Sequence, residues 1–159
     1  MMKLYITYGT VDFLANLLKK HPDKNLRLLS NNQTAALLHE TKDTSIFNSP
    51  MKYDVLHSTG KLSNGFYAVF NNIPVTFEGR PLYEKKFIDR ALLIEKQAGI
   101  SAIRVLRPIK GDTYVMLTFW KNEQFFTAWH ESIAGIEQQS TFPRPSYLTK
   151  YTSVEDESN

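Results

Sequence analysis

Asn71 and Asn72 stand side by side in an otherwise apolar stretch running from Phe66 to Val75. Successive strand side chains point to opposite faces, so one of these amides faces inward in nearly any register. A buried amide costs free energy unless something bonds to it. The pair therefore reads either as strand-end amides bonding to backbone or as a polar group aimed at a ligand. Periodicity sets Asn71 with Val69 and Ile73, and Asn72 with Phe70 and Pro74, and does not choose between them. A second group is aromatic: Trp120, Phe125, Phe126 and Trp129. Phe125 and Trp129 are four apart and share a helix face. Such a set suits core packing or the wall of an apolar pocket. Histidines offer less, because His21, His39, His57 and His130 are scattered without metal-ligand spacing. The chain has no cysteine, which excludes disulfides, thiolate metal sites and a thiol nucleophile. Phosphate loops, dinucleotide fingerprints and hydrolase motifs are missing as well. Chemistry here must rest on an apolar-aromatic pocket with few polar groups, the usual form of a site for a large hydrophobic ligand or cofactor.

The elements that must position these residues follow from pattern. Lys3–Tyr8 reads as a strand, and Thr10 as the N-cap of a helix from Val11 to about His21, stopped by Pro22. Two strands, Leu26–Ser30 and Thr34–Thr41, join through Asn31-Asn32-Gln33, a link suited to a hairpin. Lys42–Asn48 reads as loop and Pro50–His57 as a short helix. A second round begins at Gly65. Phe66–Val75 is a strand, and Pro81 opens a helix with Tyr83, Phe87, Ala91 and Ile94 on one face. Strands Ile100–Pro108 and Asp112–Trp120 follow, then a short helix capped by Asn122, and a late strand Tyr147–Tyr151. The order strand–helix–strand–strand–helix thus occurs twice. This predicts an α+β protein of two ferredoxin-like halves packed sheet to sheet. Strand Asp112–Trp120 supports the packing, since neither of its faces is polar and both need cover.

Composition narrows the class. With 159 residues, the chain is one domain or two small halves folded together. A net charge of +3 is too small and too dispersed to argue for nucleic acid. No apolar run approaches a membrane span. The N-terminus lacks the apolar core of a signal peptide. A cytoplasmic protein is therefore expected.

The stretch Phe70-Asn71-Asn72-Ile73-Pro74-Val75-Thr76, followed by Glu78-Gly79-Arg80, resembles the first strand and helix opening of the antibiotic-biosynthesis-monooxygenase domain. Trp120-Lys121-Asn122-Glu123-Gln124-Phe125, ending in Ala128-Trp129, resembles that domain's aromatic helix. Ala102–Pro108 and Arg144–Tyr147 add to the likeness. Within the superfamily the chain is most similar to the IsdG-type haem-degrading monooxygenases, Bacillus members above all. The resemblance implies an N-terminal half over 1–60, a monooxygenase domain over 61–154 and an acidic tail over 155–159. One chain would then mimic the barrel that dimeric relatives build from two, as a monomer holding one haem. The catalytic Asn implied is Asn72, seven residues before Gly79, with a hydrogen bond to the oxygen that haem activates. The catalytic Trp implied is Trp129, pressing on the macrocycle. Both would also bind the haem, which is substrate and cofactor at once. An external electron donor would be the other partner. The family's iron-ligating His falls at Gln139, and His130 is a weak substitute because it turns about 100° from Trp129. The activity implied is oxidative cleavage of the porphyrin with iron release. The alternative is a non-catalytic haem-binding, signalling or stress-response protein of the same fold.

Overall fold

The computed structural model describes residues 1–133 and 144–154. Gln139 and the tail 155–159 lie outside the described residues. In chain order the elements are β1 (Lys3–Gly9), α1 (Val11–Lys20), β2 (Leu26–Ser30), β3 (Ala35–Thr41), β4 (Met51–Thr59) and β5 (Tyr67–Pro74). They continue with α2 (Arg80–Ile94), β6 (Ile100–Pro108), β7 (Thr113–Trp120), α3 (Glu123–Ile133) and β8 (Tyr147–Ser153). All strand pairings are antiparallel. The strands close a barrel in the order β1-β3-β2-β8-β5-β7-β6-β4. The two expected sheets are thus bonded into one through β2 against β8 and β4 against β6.

Local chemistry accounts for most boundaries. The Thr10 hydroxyl accepts from Phe13 N at 3.2 Å and starts α1, whose last turn carries Lys19 and Lys20 at the negative end of the helix dipole. Asn31 Oδ1 accepts from Gln33 N at 2.9 Å and Thr34 N at 3.0 Å, which turns β2 into β3. A short 3₁₀ turn at Phe77–Gly79 leads into α2, with Pro81 in its first turn. Asn122 Oδ1 accepts from Phe125 N at 3.2 Å and starts α3.

One expected element is different. Pro50–His57 is not a helix: Met51–Thr59 is β4, paired with β1 on one side and β6 on the other. Its register shifts between Val55 and His57. That irregularity interrupts strict alternation and hides the strand in the sequence. The first half therefore runs β-α-β-β-β, while the second is a complete β-α-β-β-α-β unit. Where the second half carries α3, the first has irregular chain between β3 and β4, with Phe47 buried beside Leu14, Leu28 and Leu37. Tyr5 Oη donates to Asp43 O at 3.1 Å, and His39 Nδ1 lies 3.1 Å from Ser45 Oγ, which holds that segment down.

The core has layers. Leu4, Ile6, Leu38, Phe70, Leu117 and Phe119 fill the barrel. Outside it, Val69, Ile73, Met116 and Trp120 of the sheet pack with Phe87 and Ile94 of α2 and Phe126 of α3. β7 serves both layers and is buried on both faces from Tyr114 to Trp120, as its sequence predicts. A buried ion pair spans the barrel, with Arg104 Nε on β6 donating to Glu40 Oε2 on β3 at 2.6 Å.

Candidate functional site

β5 divides its residues cleanly. Ala68 and Phe70 belong to the barrel core, and Tyr67, Val69 and Ile73 to the layer under the helices. Asn71 is paired with Met116 on β7 and Leu148 on β8, both on the helix side. Asn72 is paired with Val115, a barrel residue, and with Tyr147. Its Nδ2 donates to Phe70 O at 3.1 Å, Tyr147 O at 3.2 Å and Thr149 Oγ1 at 3.2 Å. Asn72 thus stitches the β5–β8 seam. The structure does not bring it together with Trp129, because the two residues lie on opposite sides of the sheet. Asn71 is the amide on Trp129's side.

A cavity lies between sheet and helices. The sheet contributes Val69, Asn71, Met116, Thr118 and Leu148; α2 contributes Arg90 and Ile94; α3 contributes Phe126, Trp129 and His130. Asn71 Oδ1 is buried there without a hydrogen-bond partner. A buried carbonyl left unpaired costs about 1–3 kcal/mol, so this atom is available for a ligand at the expense of the free protein. Turning the amide about its last torsion exchanges oxygen for NH₂, so the position can present an acceptor or a donor.

The aromatic wall is tightly backed. Trp129 lies with its ring 5.6 Å from that of Trp120, which is fully buried and donates from Nε1 to Thr118 Oγ1 at 2.9 Å. Phe126 meets Trp120 edge-on at 5.9 Å. His130, four residues after Phe126, stacks on it at 5.2 Å with an interplanar angle of 20°. His130 therefore does reach the cavity despite its turn away from Trp129. Thr118, Met116, Arg90 and Ile94 escape a sequence reading, since each looks like an ordinary core or helix residue. Nearby, burial and a hydrogen bond with Glu123 push the Tyr67 phenol up to about 12.

The lining is mostly apolar. Its polar groups are the Asn71 amide and the Thr118 hydroxyl on the sheet, the Arg90 guanidinium on α2 and the His130 imidazole on α3. The free volume is about 30 Å³, room for roughly one water, whereas ligand pockets run to about 300–1,000 Å³. A macrocycle does not fit this volume. Groups of three or more metal-ligating side chains do not occur among the described residues. No helix among them is long and apolar enough to cross a membrane.

Residues 66–135 match the antibiotic biosynthesis monooxygenase family. The chain is 33% identical over 115 residues to the signal transduction protein TRAP of Staphylococcus epidermidis, covering 71% of this chain and 68% of that one. The chain belongs to the family of these proteins. Family kinship extends to a heme-degrading monooxygenase of Listeria monocytogenes, 26% identical over 132 residues, with 83% of this chain and 79% of that one covered. Among solved structures, that of a major regulator of staphylococcal pathogenesis superposes with a TM-score of 0.85 at 26% identity, covering 96% of this chain and 99% of that one. The ferredoxin-like monooxygenase domain expected from the sequence is thereby established. Of the finer likeness to Bacillus haem degraders, these relatives carry the coarser part: the domain, and kinship with heme-degrading enzymes.

Proposed function

We propose that the protein is a haem-degrading monooxygenase, cleaving the porphyrin ring with dioxygen and an external reductant and releasing iron. One observation carries the reading: an unpaired amide on β5 shares an apolar cavity with a buttressed tryptophan, inside a monooxygenase-family domain. Bound haem would be the substrate and would supply the redox-active iron. The chain's own residues do the rest. Asn71 offers one directed hydrogen bond in surroundings where water is excluded and such bonds are strong. Trp129 presses from the helix wall. Trp120 packs against it and fixes the position of the indole; bound haem would meet that wall, and distorting the macrocycle is one lever on haem reactivity. Val69, Ile94 and Phe126 keep the cavity apolar. Arg90 adds a guanidinium suited to a haem carboxylate. Phe47 and its neighbours fill the helical side of the first half, which supports one haem per chain and a working monomer.

Haemin titration checks this. A Soret band should rise to saturation at one equivalent, then decay with reductant and oxygen while iron becomes chelatable. Asn71→Ala should bind haemin yet lose turnover by about 10²-fold, the scale of losing one aimed hydrogen bond. Asn72→Ala should lose far less. The reverse order would return the role to Asn72, and an absence of haemin binding would overturn the reading.

One observation favours a second reading, a haem-binding or signalling protein without turnover: identity to the TRAP protein, 33%, exceeds that to the heme-degrading one, 26%. Stoichiometric haem binding without reductant-driven decay would select it.

A further inference from the structure

We infer that the acidic segment Glu155-Asp156-Glu157 docks along the free edge of β2, where the Glu155 carboxylate meets the buried guanidinium of Arg27. The edge is free because β2 is covered unequally. β3 pairs with it along its whole length, from Leu26 to Ser30, whereas β8 pairs with it only at Leu29 and Ser30. Leu29 stands opposite Ser153, and Ser30 opposite Thr152. Val154 N then donates to Leu28 O at 3.1 Å, so the ladder is still in register where the described residues end. Carried on by the same count, it sets Glu155 opposite Arg27 and Asp156 opposite Leu26.

The faces agree with the register. Leu29 and Tyr151 point into the barrel, and Val154 packs with Leu28 on the outer side. Side chains alternate along a strand, and residues directly opposite share a face. Glu155 and Arg27 therefore share the barrel face. Arg27 is 7% exposed, with its guanidinium 5.3 Å over the Phe119 ring. Its Nη1 donates to Leu62 O at 3.1 Å and Asn64 O at 3.4 Å, and its Nη2 to Gly65 O at 2.5 Å. All three acceptors are neutral carbonyls, and among the described residues Arg27 has no carboxylate partner. Burial holds the guanidinium below its ordinary range. A buried charge without a counter-charge is costly. The Nε–H and one Nη2 hydrogen are left over, and a carboxylate is the acceptor that fits a guanidinium edge. Leu26 offers a second attachment. Asn25 O accepts from Glu40 N on β3 at 3.1 Å, and Leu28 O accepts from Val154 N, so alternation points the backbone groups of Leu26 away from β3. The docked segment lengthens the seam between the first half and β8, the strand that carries Leu148 of the cavity.

Amide exchange and arginine side-chain resonances test this on the full chain, labelled with the heavy nitrogen isotope. The Leu26 amide should be protected, and the Arg27 Nε–H should give a slowly exchanging signal. Glu155→Gln should speed Leu26 exchange by about tenfold or more, the scale of one hydrogen bond to a charged group, and shift the Arg27 signal. Asp156→Pro, which has no N–H for Leu26 O, should speed Leu26 exchange as well. Asp156→Asn, altered on the outer face, should leave both readings unchanged. An unprotected Leu26 amide in the intact chain, or Leu26 and Arg27 signals that ignore Glu155→Gln, overturns the docking. Leu26 protection that fades on dilution assigns the segment to a second copy and overturns docking within one chain.

Discussion

Asn71 is the residue on which stability and function pull in opposite directions. Its Oδ1 is buried and unpaired, so the free protein carries a polar group it would be more stable without. Asn71→Leu keeps the branched shape and the number of heavy atoms and removes that group. The expected result is a urea midpoint raised by the equivalent of about 1 kcal/mol at unchanged slope, together with loss of haem turnover. A lowered midpoint would mean that the amide is bonded in the free protein. The choice between the adjacent amides was not legible in the sequence. Both faces of β5 are apolar, so polarity alternation is silent there. Counting back from Gly79 selects Asn72, but the count crosses the turn at Phe77–Gly79, and turns absorb insertions that strands do not. Only pairing with Met116 and Leu148 assigns Asn71 to the helix side.

At the scale of elements, the position of α3 controls the site, and Gly99 controls α3. Gly99 has φ of +82°, and a Cβ there would fall 2.1 Å from Phe125 Cγ. Lys121 N also donates to Gly99 O at 2.8 Å, tying the start of α3 to the end of α2. Gly99→Ala should destabilise by about 1–3 kcal/mol through strain at positive φ and the push on Phe125. It should also change the near-UV signal of Trp120 and Trp129, because α3 must shift. Denaturation followed by near-UV circular dichroism checks both, and unaltered stability would show that α3 is not braced there. Capping by Asn122 and the aromatic spacing make α3 readable from the sequence. β4 is not readable, because its irregularity breaks period-two alternation and its ladders come from strands distant in sequence.

The whole molecule is a closed barrel whose halves are joined by more than ladders. Lys3 Nζ donates to Asp54 Oδ1 at 2.7 Å, Arg107 Nη1 lies 3.6 Å from Asp54 Oδ2, and Arg107 Nη2 donates to Glu84 Oε1 at 2.7 Å. Tyr114 also donates to Glu84. The chain of charges links β1 and β4 of the first half to β6 and α2 of the second. The Arg107 guanidinium holds the Glu84 carboxyl below the usual glutamate range, against burial. Burial, then the bond to Glu84, pushes the Tyr114 phenol up to about 12. A carboxyl depressed in the folded state stabilises above its unfolded value and loses that contribution as pH falls through the folded value. Stability should therefore decline below about pH 4.3, the unfolded glutamate value. Glu84→Gln should cost about 1 kcal/mol at neutral pH and flatten that acid limb. Equilibrium urea titrations across pH measure it, and an acid limb as steep in the variant as in the parent would place the sensitivity elsewhere.

Sequence alone determined the α+β class, the strand–helix–strand–strand order that both halves share, the caps of α1 and α3, and the double-sided burial of β7. Each of these follows from local propensity and from hydrophobic period, which a short window of chain contains. Tertiary structure decided that the halves close one barrel, that β4 is a strand, which amide meets Trp129, and that His130 reaches the same cavity. Those outcomes depend on which strands pair and in what register. Register is set by contacts between residues far apart in the chain, and no local window records it.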